Sequence, residues 1–100
     1  MFHKVGNVSE VTPGTAKVFD VGDREVCVVN IQGAFYAIDD LCSHADCNLS
    51  TGVIEGHEIE CDCHGSMFDV RTGEPTTPPA VTPIDTFKVQ VNGDDIEVEI

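Results

Sequence analysis

The sequence predicts an all-β domain, an antiparallel β-sandwich, and three observations carry that expectation. At the C-terminus, Phe87, Val89 and Val91 alternate with polar residues, and Asn92-Gly93 supplies a tight turn. Ile96, Val98 and Ile100 then alternate back. Between Lys17 and Ile38, short β-branched and aromatic runs break at Gly22-Asp23 and around Gln32-Gly33, which is hairpin grammar. No segment keeps a helical period over three turns.

The remaining elements follow in order. A short strand pair is expected through Val53-Ile54 and Glu58–Glu60, turning at Gly56-His57. At most one turn of helix follows Asp46. Pro75, Pro78, Pro79 and Pro83 exclude a regular helix or central strand and predict a stiff, exposed loop. One hundred residues make one domain, 1–100, with a modest single core. A hydrophobic fraction of 41% is ordinary for a folded chain.

Composition narrows the function. No apolar run approaches the length of a membrane span. The start, MFHKVGNVSEVTPGT, lacks the basic, apolar and small-residue regions of a signal peptide, so the expected location is the cytoplasm. Eighteen acidic residues against five basic ones give a net charge of -13. Nucleic acid and anionic membrane surfaces would repel such a chain, whereas a basic protein partner, met briefly and steered by field, suits it. A merely soluble acidic surface is the plain alternative. Five cysteines in a reducing compartment do not form a natural disulfide framework and, beside histidines, point towards metal.

Two segments between predicted strands concentrate those residues: CSHADCNLS, 42–50, and CDCHGS, 61–66. Cys42-x-His44 and Cys61-x-x-His64 each offer one thiolate and one imidazole, and residues so spaced can face a common point. Three readings remain open on these residues alone. One is structural zinc, although zinc modules usually pair like ligands in each knuckle. Another is coincidence in an ordinary β domain. The third is a [2Fe-2S] cluster with two cysteines on one iron and two histidines on the other.

The pattern C-x-H…C-x2-H-G resembles that of the Rieske family, with cluster-binding loops at about 41–50 and 60–69. The stretch FDVRTGEPTTPPAVTPI, 68–84, is similar to the family's F-x-x-x-T-G segment and proline loop. The resemblance implies a Rieske-like fold, the two loops at one end of the sandwich. It implies one [2Fe-2S] cluster per chain, ligated by Cys42, His44, Cys61 and His64. It further implies a free-standing ferredoxin, itself no enzyme. Such a protein carries single electrons from a flavoprotein or similar reductase to the terminal oxygenase of a ring-hydroxylating dioxygenase system. A monomer suits a carrier that meets two partners in turn. A high-potential subunit of a quinol- or arsenite-oxidising complex is the rival.

Cys47 and Cys63 support the rival, because they fall where quinol-oxidising members of the family carry a disulfide. A bridge and two packed thiols both remain open. The resemblance also places Ser66 where a serine donates to a bridging sulfide. Phe68 stands where high-potential members have a hydroxyl-bearing tyrosine. Cys27, inside EVCVVN, reads as a buried small hydrophobe. His3 and His57 read as exposed. Gly65 and Gly73 suit conformations closed to other residues. Pro78-Pro79 either wall off the cluster or form a plain surface turn.

Overall fold

Strand β3, Arg24–Ile31, is the spine of the fold, and its middle five residues are buried in succession. Such a run requires cover on both faces, and the computed structural model supplies it. The structure describes residues 2–40, 48–61, 65–77 and 82–99. On either side of β3 lie β2 (Ala16–Val21) and β4 (Ala34–Asp39), and β9 (Thr86–Phe87) completes this central sheet in the order β2-β3-β4-β9. Both hairpins fall where the sequence places them, pairing Val21 with Arg24 and Ile31 with Ala34.

Successive β3 residues then divide between two cores. Val26 and Val28 pack with Phe19, Ala37, Ile96 and Val98. Cys27 and Val29 pack on the opposite side with Ile38, Leu49, Ile59, Cys61, Phe68 and Val70. Each fully buried valine is worth about 1.5–3 kcal/mol in burial. Placing β3 at an edge would forfeit much of that.

The first core is closed by a three-stranded sheet in which β1 (Phe2–Asn7) and β10 (Val89–Asn92) flank β11 (Asp95–Glu99). Here the expected C-terminal hairpin forms, with Asn92 opposite Asp95. The second core is closed by β5 (Ile54–Glu55), β6 (Glu58–Glu60), β7 (Met67–Asp69) and β8 (Pro75–Thr77), paired in chain order. Every pairing is antiparallel among the described residues. The sandwich therefore has three layers, and Cys61 directly follows a strand of the outer layer on the second core.

One expectation needs correction. Residues 75–77 are not loop: they form edge strand β8, whose first residue is Pro75. A first position on an edge strand is where proline's missing N–H costs no ladder bond. The expected turn of helix after Asp46 is the 3-10 turn Leu49–Thr51.

Candidate functional site

Strand β6 leads straight into Cys61, and β7 takes up the chain again at Met67. The connection between them, 61–66, falls within the loop of about 60–69 that the resemblance implies. It is closed at its base by two backbone bonds: the Cys61 N–H donates to the Ser66 carbonyl at 2.6 Å, and the Gly65 N–H donates to the Cys61 carbonyl at 2.9 Å. Gly65 makes this turn at φ +75, a left-handed conformation that glycine adopts without strain. Cys61 is fully buried and carries a free thiol. With its backbone bonded through both N–H and C=O, the residue has a fixed place at the rim of the second core.

The first segment begins where β4 ends. Asp40 follows β4 and is itself fully buried. Its carboxylate accepts from the Asn48 side-chain amide and from the Ser50 N–H at 2.9 Å, and its carbonyl accepts from the Leu49 N–H at 2.6 Å. The chain positions on either side of 41–47 are thereby drawn together. Leu49 then packs in the same core as Cys61 and Phe68.

The two segments are joined beyond that core. The Glu60 N–H donates to the Val53 carbonyl at 2.8 Å, and Gly52 lies against the Glu60 carbonyl. Residues 48–53, which leave the first loop, are therefore registered against the residue that precedes Cys61.

Cys42, His44, Cys47, Cys63 and His64 lie outside the described residues, as do Pro78 and Pro79. Cys61, Ser66 and Phe68 are all buried within one stretch of the outer layer. Cys27 is buried as expected, and burial, with the charge of Asp40 adding to it, pushes its thiol far above the ordinary range. It stays a thiol and makes a poor metal ligand. His3 and His57 are exposed, and His57 meets the Tyr36 ring edge-on at 6.2 Å between centroids.

The proline segment is pinned at its base. The Ile84 N–H donates to the Gly73 carbonyl at 2.8 Å, and Gly73 sits at φ +80 where a Cβ would stand 2.1 Å from the Ile84 carbonyl oxygen. Nearby, Arg71 forks onto Asp69 at 2.8 and 3.0 Å, and this guanidinium holds the Asp69 carboxyl below its usual range.

Asp40 and Gly52 escaped the sequence reading. An acidic residue before a cysteine loop has no spacing signature. Gly52 has an ordinary φ of −81, so no turn pattern marks it.

Cys61 suits a cluster: a buried thiol outside any disulfide, held by a fixed backbone, within a chain whose two mixed Cys/His pairs supply two thiolates and two imidazoles.

Comparison with known proteins agrees. The family profile described as the Rieske [2Fe-2S] domain matches residues 1–88. The ferredoxin component of biphenyl 2,3-dioxygenase from Rhodococcus jostii (strain RHA1) is 39% identical over 97 residues, covering 97% of this chain and 91% of that protein. The ferredoxin of carbazole 1,9a-dioxygenase from Nocardioides aromaticivorans IC177 superimposes with a TM-score of 0.94 at 42% identity, over 98% of this chain and 96% of that one. A ferredoxin solved in complex with the oxygenase of carbazole 1,9a-dioxygenase matches with a TM-score of 0.90 at 36% identity, over 97% and 91%.

Proposed function

The chain belongs to the Rieske [2Fe-2S] family, and from that premise we propose that it passes electrons one at a time from a reductase to a terminal ring-hydroxylating oxygenase. It is an electron carrier with one [2Fe-2S] cluster, not a catalyst. The observation that supports the oxygenase as acceptor is coverage. Nearly the whole chain matches a ferredoxin that has been solved together with an oxygenase.

When bound, the cluster takes up and releases one electron at a potential set by its ligands and surroundings. We assign Cys42 and Cys61 as the thiolate ligands and His44 and His64 as the imidazole ligands. Two thiolates and two neutral imidazoles bring two fewer negative charges than four thiolates. That chemistry makes addition of an electron easier than at an all-cysteine site. The protein's own part is to hold these donors rigidly, so that little rearrangement accompanies the change of charge. The bonded base of 61–66 and the core shared with Leu49 and Phe68 support this for Cys61.

The reductase is a flavoprotein or similar enzyme, the carrier is a monomer, and it works in the cytoplasm. Among the described residues no helix is long and apolar enough to cross a membrane. A net charge of -13 favours basic docking faces on both partners.

Substitution tests the ligand set. Cys42→Ser, His44→Ala, Cys61→Ser and His64→Ala each yield protein without a normal iron–sulfur absorption and paramagnetic resonance spectrum. Cys63→Ser and Cys27→Ser keep that spectrum. A colourless Cys63→Ser beside a brown Cys61→Ser would reverse the assignment. Stopped-flow oxidation of the reduced carrier by a ring-hydroxylating oxygenase tests the acceptor, and no transfer under any condition rejects it.

A further inference from the structure

Asp40 does more than its position after a strand requires. An unpartnered buried carboxylate is costly, so the groups that meet it must be held in place. Both of its oxygens are used, one by the Asn48 amide and one by the Ser50 N–H at 2.9 Å. Its backbone is fastened as well, the N–H to the Glu25 carbonyl at 3.2 Å and the C=O to the Leu49 N–H at 2.6 Å.

The residue before it is anchored too. The Asp39 N–H donates to the Asp85 carbonyl at 2.9 Å, and Arg24 reaches the carboxylates of Asp39 at 3.4 Å and Asp85 at 3.0 Å. Residue 40 is therefore a fixed post, and 48–50 are tied to it. From there the contacts continue through Gly52 and Val53 to Glu60, and so to Cys61.

We infer that Asp40 is a positioning residue for the cluster: by tying residue 40 to residues 48–50 it holds together the two ends of the segment that carries Cys42 and His44. The inference rests on the ligand assignment above. Two ligands on a segment with a closed neck lose less conformational freedom on binding than two on an open one. Partners that orient ligands without touching the metal commonly account for about 10–100-fold in metal affinity.

The test uses holoprotein and three variants: Asp40→Ala, Asp40→Asn, and the exchange Asp40→Asn with Asn48→Asp. Bleaching of the visible absorption by a chelator and the paramagnetic resonance line shape are followed, with far-ultraviolet circular dichroism as a folding control. Asp40→Ala should bleach about 10–100-fold faster with broadened lines. Asp40→Asn should stay near wild type, because its amide still accepts from Ser50 and can pair with a turned Asn48 amide. The exchange should behave likewise.

Wild-type bleaching and line shape in Asp40→Ala overturn the inference. So does equal damage in Asp40→Ala and Asp40→Asn, which would make the buried charge, not the closed neck, the operative feature. If Asp40→Ala fails to fold, Asn48→Ala carries the same test, with faster bleaching expected and an unchanged rate overturning it. Wild-type protein lacking an iron–sulfur spectrum would overturn the function as well, which separates the two failures.

Discussion

Gly52 lies so close to Glu60 that a Cβ at position 52 would stand 1.7 Å from the Glu60 carbonyl oxygen. Backbone freedom is not the reason for this glycine, because its φ of −81 is open to any residue. The constraint is contact alone. Where the end of one cysteine-bearing segment crosses the start of the other, only a hydrogen atom fits between them.

Gly52→Ala should therefore force the two segments apart. Overpacking of this kind costs about 1–3 kcal/mol, and the strain falls beside Cys61. A lowered thermal midpoint and a loss of bound iron are expected together. Gly56→Ala is the comparison: that residue is at φ +62 with nothing within 4 Å, so the cost is conformational only, about 1–2 kcal/mol. It should lower the midpoint and leave the iron content intact. Full iron content in Gly52→Ala would show that the contact does not bear on the site.

The reduction potential should lie in the lower part of the Rieske range, which runs roughly from -150 to +300 mV. Hydrogen bonds to the sulfurs stabilise the added electron, and Phe68, fully buried beside Cys61 in the core, has no hydroxyl to donate. Ser66→Ala should lower the potential and Phe68→Tyr should raise it. A hydrogen bond to a charged group is worth about 1.5–3 kcal/mol. Only its change between redox states counts, so shifts on the order of tens of millivolts are expected. Protein-film voltammetry measures all three proteins. A wild-type value well into the upper half of the range would reject the oxygenase carrier in favour of a quinol-oxidising subunit.

Electron delivery should slow as salt rises. A net charge of -13 steers encounters over about one Debye length, roughly 10 Å at 0.1 M ionic strength. The loss should appear in the second-order association rate and leave the first-order transfer step unchanged. Rates that stay flat from low to moderate ionic strength would reduce the acidity to a solubility trait.

Acid should remove the contribution of Asp69. Bonding to Arg71, the largest cause, lowers its folded-state pKa below the unfolded value of about 3.9. A lowered carboxyl stabilises the fold above the unfolded pKa and loses that effect as pH falls through the folded one. The gap in urea midpoint between wild type and Asp69→Asn should hold constant above about pH 5 and narrow below it. The pair is near the surface, so its ionic part is worth at most about 1 kcal/mol. A gap that widens with acid would contradict the sign.

The sequence by itself determined the hairpins and the chemistry of the donors. Residues such as Asn92-Gly93 and Gln32-Gly33 announce their turns locally, because turn geometry involves only adjacent residues. The mixed pairs Cys42/His44 and Cys61/His64 stand out by residue type and spacing, but on those alone zinc, coincidence and a cluster stayed open, and the match to the Rieske family decided for the cluster. Tertiary structure decided what depends on distant neighbours. Strand β1 closes its sheet by pairing Phe2 with Glu99, a partner at the far end of the chain. Pro75 is a strand residue only because β7 offers an edge there. Gly52 and Asp40 have meaning only opposite Glu60 and Asn48, since a steric limit or a buried charge belongs to a pair of positions and leaves no mark on either residue alone.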